Sequence, residues 1–554
     1  MTKTLVMTVR DHARQRPDAP FVTVVSREGR DVLTFAGLWD GARRIAAVLA
    51  NSGIGGGDVV IIMLRHETAL YTCFLGAMTA GAIPSLMPYP TPKQQPELFW
   101  ASHAKLFDRI RPAAIIAYDD IVPFIRDVAP TETRVLTMPD LASKGPRSHV
   151  STAEEPDRVA FLQHSSGTTG LKKGVMLSHR AVLTQVASYR RRIDFDETSV
   201  IASWLPLYHD MGLIACFMLP VVAGAHVIHL DPFDWVGQPT SLLDEIEANR
   251  ATHSWVPNFA FNHLAATGAR AGRTWDLSSL KALINCSEPC KVDSMVLFAR
   301  TFADSGVTQA TPQVCYAMAE TVFAVSQTRL GNPVPARAIS RNGLLERLAR
   351  PATDEADTQI VASCGRPIPG VEVQIIDDTG APIGEGFVGE ICVGGTSLYD
   401  GYHRLPELTA EKLVDRWHHT GDLGFLLDGD LHVTGRKDDL IIVRGRNYYA
   451  HDLEAIASAT DGVKPGRVVT FGVDATALGT AEVVCLLELA EGALPLDVRR
   501  AVKARVESLS GLVLGRVVIV PAGALLKTTS GKMSREGNRT AYLENRFAKE
   551  PIHA

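Results

Sequence analysis

Between residues 35 and 117 the apolar residues switch repeatedly between helical and strand spacing, and this alternation constrains the fold more than any other feature. Phe35 to Ala50 carries Leu38, Ala42, Ile45 and Leu49 at helical spacing. Asp58 to Met63 (DVVIIM) is an apolar run too short for a helix, as a strand buried on both faces requires. Glu67 to Thr79 reads as a second helix, Ala82 to Met87 as a second strand, and Ala113 to Ala117 (AAIIA) as a third. Buried strands joined by helices predict a parallel sheet covered by helices. The run Gly53-Ile54-Gly55-Gly56-Gly57 lacks the last glycine of a dinucleotide fingerprint and reads as a turn.

At 554 residues the chain outgrows a single core. Its pattern changes near Gly365. From Val371 to Val393 the strands are short and separated by Gly, Pro and Asp, which predicts a small antiparallel sheet or barrel. After Gly435-Arg436-Lys437-Asp438-Asp439 the chain restarts with a strand, Leu440 to Val443. A helix (Asp452 to Ala459), strands (Val468 to Val473, Glu482 to Leu489) and a last helix (Leu496 to Leu509) follow. The expected fold class is α/β. A large N-terminal domain (1–434) of parallel αβα layers carries a small antiparallel β-barrel subdomain. A hinge (435–439) then leads to a small mobile α+β C-terminal domain (440–554).

Composition narrows the function. A net charge of −5 implies no broad basic face for nucleic acid. The start, Met1-Thr2-Lys3-Thr4-Leu5, lacks the apolar core of a signal peptide. Leu213 to Ala225 is too short to span a bilayer, contains Pro220, and reads as a buried element. A cytoplasmic protein without an integral membrane segment is expected. The eight cysteines form no CxxC pair, and no His or Cys cluster surrounds Cys286 and Cys290, so reduced, space-filling thiols are expected.

Chemistry enters at Ser165-Ser166-Gly167-Thr168-Thr169-Gly170-Leu171-Lys172-Lys173-Gly174. These ten residues hold four hydroxyls, three glycines, two lysines and no acid. Glycines let backbone N–H groups close on phosphate oxygens, hydroxyls add hydrogen bonds, and lysine adds charge. Val159 to Gln163 ahead reads as a strand. The stretch from Val175 through His179 to Val186 can turn into a helix, so the loop would sit where a strand enters a helix. The lysine spacing is not that of a P-loop. Surface turns share this composition, so other segments must decide. They are Trp204-Leu205-Pro206-Leu207-Tyr208-His209-Asp210-Met211-Gly212, Tyr316-Ala317-Met318-Ala319-Glu320-Thr321, His419-Thr420-Gly421-Asp422-Leu423-Gly424 with Gly435-Arg436, and Leu526-Lys527-Thr528-Thr529-Ser530-Gly531-Lys532.

Taken in order, the five segments resemble those of the adenylate-forming superfamily of acyl-CoA synthetases, peptide-synthetase adenylation domains and luciferases. The resemblance runs from about residue 10 to residue 545. It implies ATP and Mg2+ as cofactors. Ser165, Ser166, Gly167, Thr168, Thr169, Gly170 and Lys173 would hold the β- and γ-phosphates, and Glu320 would bind the magnesium. Tyr316, flanked by Ala317 and Met318, would stack on adenine. Asp422 would accept from the ribose hydroxyls, with Arg436 on the ribose side. Ser287, Glu288 and Pro289 complete the nucleotide site. Lys532 would stabilise charge between the carboxylate and the α-phosphate, and His209 would sit beside the carboxylate pocket. Asp438 falls where the hinge residue sits. Two departures stand out: Lys172 and Leu526 each replace a proline.

Three features resemble the fatty acyl-AMP ligase branch. They are His209 to Leu213, the element Asn285-Cys286-Ser287-Glu288-Pro289, and the 45 positions between Glu320 and Gly365. That gap leaves an insertion, roughly Arg329 to Ala362, with a helical stretch expected from Asn342 to Arg350. The branch implies a fatty or other apolar carboxylic acid as substrate, and the phosphopantetheine thiol of an acyl carrier protein as acceptor. The alternatives are an acyl-CoA synthetase or an amino-acid adenylation enzyme, for which Asp210 would have to meet the ammonium group.

Overall fold

The computed structural model describes residues 3–91, 96–142, 155–165, 172–443, 446–475, 480–527 and 533–547. Two sheets dominate. The first has six strands, running Arg134–Thr137, Ala114–Ala117, Val59–Met63, Ile83–Leu86, Val159–Ser165 and Lys173–Ser178 from edge to edge. All neighbours are parallel except the last pair. One face packs on Val59, Ile61, Phe107 and Leu162, the other on Val60, Ile62, Phe74 and Phe161. The run DVVIIM is therefore buried on both sides, as its composition demands.

The second sheet has nine strands, with Pro312–Ala317, Ala282–Asn285, His253–Val256, Val200–Ser203 and His226–Leu230 side by side in its parallel centre. Ala324–Gln327 turns back antiparallel along Pro312–Ala317. Met211–Met218 is a π-helix that continues as the helix Leu219–Ala223, all but the partly exposed Val222 buried. The apolar run at 213–225 is thus a core element, and among the described residues no helix is long and apolar enough to cross a membrane.

Antiparallel strands Val371–Ile376, Gly389–Gly395, Trp417–Leu427 and Asp430–Arg436 form the smaller subdomain. Beyond it, Ile441 to Val517 encloses one core, and Val469, Phe471, Val484 and Leu486 face a second. Alternate residues of Val463–Ala475 and Thr480–Leu489 feed the two cores, as strand periodicity requires. The overall architecture is the α/β arrangement expected, with a large N-terminal and a smaller C-terminal domain. The eight cysteines are unbridged.

Two local expectations need correction. The segment behind the glycine-rich loop does not enter a helix at Val175. Lys173–Ser178 is a strand, antiparallel to Val159–Ser165, with Ser165 opposite Lys173. The helix starts only at His179, where the Ser178 hydroxyl accepts from the Ala181 N–H. Six strand residues put the helix N-terminus about 20 Å beyond Lys173, so the helix dipole does not act at Lys173. The insertion is also a hairpin, Ala336–Ser340 against Thr358–Ala362. Its helix spans only Arg341–Leu345, because Arg347 turns left-handed (φ 61°) and ends the expected Asn342–Arg350 stretch.

Candidate active site

Three segments distant in sequence converge at Lys173. Tyr399 to His403 lies along the free edge of Lys173–Ser178. The His403 N–H donates to the Gly174 carbonyl (2.8 Å) and the Met176 N–H to the Gly401 carbonyl (3.0 Å). This docking places the Tyr402 ring 5.3 Å from the Lys173 ammonium. The Tyr402 hydroxyl donates to Glu320 Oε1 at 2.8 Å, and the Tyr399 N–H donates to the Glu320 carbonyl at 2.9 Å. Burial, then the neighbouring Glu320, push the Tyr402 hydroxyl far above its ordinary range, so it stays a donor. Burial lowers Lys173, and Glu320 opposes that. Tyr399 and Tyr402 were not read from the sequence. Their only signal is an aromatic beside Gly401, whose φ of 117° marks a turn built for a close approach.

Glu320 rides on a strained turn. It occupies the short 3₁₀ helix Ala319–Thr321, and the next residue, Val322, has φ 69° and ψ −53°. A buried β-branched residue avoids that region. The surroundings hold it there. Gln185 Nε2 donates to the Thr321 carbonyl (2.6 Å) and the Ala324 carbonyl (2.9 Å), and the Thr321 hydroxyl donates to the carbonyls of Met318 and Phe323.

A second cluster comes from strand register. Asp422 lies directly opposite Arg436 in the pair Trp417–Leu427 and Asp430–Arg436. Arg436 Nε donates to Asp422 Oδ1 at 2.8 Å, and the Tyr316 hydroxyl donates to Oδ2 at 2.6 Å. Asp422 raises the Arg436 guanidinium above its usual range, and burial followed by Asp422 raises Tyr316. Ala317 pairs with Ala324, and the Met318 N–H donates to the Phe323 carbonyl, which fixes Tyr316 at the strand end. Each carboxylate oxygen of Asp422 keeps a further lone-pair site, so ribose hydroxyls can still donate to it.

The third cluster follows strand Val200–Ser203. Gly212 packs on the Pro206 carbonyl, where an added Cβ would lie 2.2 Å from that oxygen, so only glycine fits. The His209 ring sits 4.8 Å from the Tyr208 ring. Asp210 Oδ1 accepts from the Met211 N–H, and the Asp210 carboxylate is thereby engaged at the start of the π-helix. Ser287 (φ 70°) places its hydroxyl 3.9 Å from Met211 Sδ. Glu288 accepts from the Phe259 N–H at the N-terminus of helix Asn258–Gly268, and Pro289 follows.

Lys172, the residue in place of proline, has a defined setting. Its ammonium lies 5.6 Å from the Tyr208 ring, whereas that of Lys173 lies by Tyr402. Burial pushes Lys172 down to about 8. Burial and then Lys172 push the neighbouring His164 down to about 3, which keeps it neutral. Asp438 is exposed in the short turn Lys437–Asp439. Ser166, Gly167, Thr168, Thr169, Gly170 and Lys532 lie outside the described residues.

The sequence profile of the AMP-binding enzyme family matches residues 9–403. The chain belongs to that family. As a member it is an adenylate-forming ligase that uses ATP. The long-chain-fatty-acid–AMP ligase FadD32 of Mycolicibacterium smegmatis is 29% identical over 88% of this chain and 85% of its own. A putative acyl-CoA synthetase of Caulobacter vibrioides is 30% identical over 93% of this chain and 91% of its own. The medium-chain-fatty-acid–[acyl-carrier-protein] ligase JamA of Moorena producens is 28% identical over 92% and 90%. A solved structure from work on the fatty acyl-adenylate ligases of E. coli and L. pneumophila superposes with a TM-score of 0.88, at 27% identity, over 99% of both chains.

Proposed function

We propose that this adenylate-forming ligase activates a fatty acid as acyl-adenylate and transfers the acyl group to the phosphopantetheine thiol of an acyl carrier protein. The likeness to a fatty acyl-adenylate ligase along the whole chain carries this reading. The insertion supports the choice of acceptor. Ile339, Leu344 and Val361 bury themselves against Val388 and Phe425 of the barrel, while the backbone of helix Arg341–Leu345 runs close to that of Arg446–Tyr449 beyond the hinge. A segment that bridges the barrel and the C-terminal domain would restrain the rotation about 435–439 that thioester formation on coenzyme A requires.

In the proposed reaction a carboxylate oxygen attacks the α-phosphorus, the bond from that phosphorus to the bridging oxygen breaks, and pyrophosphate leaves. Tyr316 stacks on adenine, and Asp422, oriented by Tyr316 and Arg436, takes the ribose hydroxyls. Lys173, with Ser165, Ser166, Gly167, Thr168, Thr169 and Gly170, would hold the β- and γ-phosphates. Glu320 presents one oxygen tied to Tyr402 and a second for a cation, a donor set that suits magnesium shared with substrate phosphates. Bound there, magnesium would offset phosphate charge. His209 borders the carboxylate, Ser287, Glu288 and Pro289 belong to the nucleotide site, and Lys532 would stabilise the charge of the transition state between the carboxylate and the α-phosphate.

Acyl transfer is measured from a panel of fatty acids, offering coenzyme A or a loaded carrier protein in parallel. Carrier acylation without appreciable acyl-CoA is expected. Rapid acyl-CoA formation would favour the synthetase alternative and leave adenylation intact.

A further inference from the structure

One cavity among the described residues lies away from the nucleotide-site side chains. It occupies about 380 Å³ between the C-terminal end of helix His179–Arg192, the root of the insertion and the barrel. Its wall is unusual in charge: Arg192, Arg329 and Arg366 all line it, and Asp430 is the one carboxylate among its lining residues.

We infer that this cavity is a second anion site, built to hold a phosphate-type dianion at the root of the insertion.

The three guanidiniums are held there for different reasons. Arg192 is partly buried and anchored, its Nε and Nη2 donating to the Gln327 carbonyl at 3.2 and 2.8 Å. Burial lowers it, Asp430 opposes this, and Arg329 and Arg366 lower it further. Arg366 is tied to the barrel, donating to the Asp428 carbonyl at 3.1 Å with Nε 3.5 Å from Asp430. Asp430 also accepts from the Ser363 hydroxyl at 2.8 Å, so it is only partly available to the arginines. Arg329, at the first residue of the insertion, is exposed and makes no side-chain hydrogen bond or ion pair among the described residues. Three like charges against one carboxylate leave an excess of two positive charges, which a phosphate dianion would neutralise. Guanidinium forks match phosphate oxygens in geometry as well as charge. The floor is rigid: Gly365 packs on the Gln327 carbonyl so closely that a Cβ would come within 2.2 Å of it. The volume exceeds what a lone phosphate needs, so free phosphate and a small phosphomonoester both fit the chemistry. A bound dianion would tie Arg329 of the insertion to the catalytic sheet through Arg192 and to the barrel through Arg366.

The test is equilibrium binding of inorganic phosphate and of glycerol 3-phosphate, each to the full chain, its Arg329→Gln variant and its Lys173→Ala variant. Arg329→Gln touches an exposed side chain, and unchanged thermal unfolding without ligand would verify the fold. The expected result is saturable binding that survives Lys173→Ala, weakens about tenfold in Arg329→Gln, and recovers in part with Arg329→Lys. Tighter binding of one probe identifies the source of the phosphate. Binding abolished by Lys173→Ala but unchanged by Arg329→Gln would assign all phosphate to the nucleotide site and overturn the inference. So would the absence of saturable binding of either probe at millimolar concentration.

Discussion

Gln185 tests the link between fold and chemistry. Its amide joins the buried helix His179–Arg192 to the carbonyls of Thr321 and Ala324, on either side of the strained Val322. Gln185→Leu keeps the volume but removes both bonds. Stranding a buried carbonyl costs about 1–3 kcal/mol, so two lost partners cost roughly 2–6 kcal/mol. The Val322 conformation stores about 1–3 kcal/mol, and once released the turn recovers part of that. The net expectation is a loss of about 2–4 kcal/mol of unfolding free energy, read by urea denaturation of the N-terminal domain. Relaxation also moves Glu320, two residues before Val322, away from Lys173. A misplacement of that kind lowers ATP–pyrophosphate exchange by roughly ten- to a hundredfold. A Gln185→Leu protein within about 0.5 kcal/mol of wild type, with normal exchange, would refute the reasoning.

Three further outcomes follow from the site. Lys172→Met should stabilise the ligand-free protein. The drop of Lys172 from 10.5 to about 8 corresponds to about 3 kcal/mol, and partial exposure reduces this to roughly 1–2 kcal/mol. The sign follows from proton binding: the cost is full below pH 8, where both states are protonated, and shrinks as pH rises from about 8 to 10.5, so the gap between variant and wild type should close over that window. Asp422→Asn keeps the shape but leaves Arg436 without its charged partner and weakens the hold on ribose; the KM for ATP should rise about tenfold with a smaller change in kcat, by steady-state exchange. Lys532→Ala should lower adenylate formation by about two to three orders of magnitude while nucleotide affinity, by equilibrium titration, changes little.

The sequence was legible where one element carried its own signal. Val59–Met63 is apolar throughout because both its faces are covered, and Phe35–Asn51 shows helical spacing because only one face is. The strand Lys173–Ser178 was not legible, since Gly174 to Ser178 can extend or coil, and pairing with Val159–Ser165 and docking of Tyr399 to His403 decide the matter. The insertion hid its hairpin for the same reason: Ala336–Ser340 alternates only weakly and finds its partner some twenty residues on. In the site, Asp422 and Arg436 could be named but their contact could not, because it depends on a strand register that includes an irregularity at Leu423 and Gly424. Tyr402 escaped because its partner Glu320 is 82 positions away.

Fatty-acid adenylation followed by transfer to a carrier thiol is read by mass spectrometry of the enzyme-bound product. The purified enzyme is incubated with ATP, Mg2+ and a fatty-acid mixture without acceptor, quenched, and then chased in parallel with loaded carrier protein or coenzyme A. The expected product is an acyl-adenylate that persists without acceptor, disappears on addition of carrier protein as the carrier gains the acyl mass, and survives coenzyme A. An absence of acyl-adenylate for every acid, or its ready conversion to acyl-CoA, would contradict it.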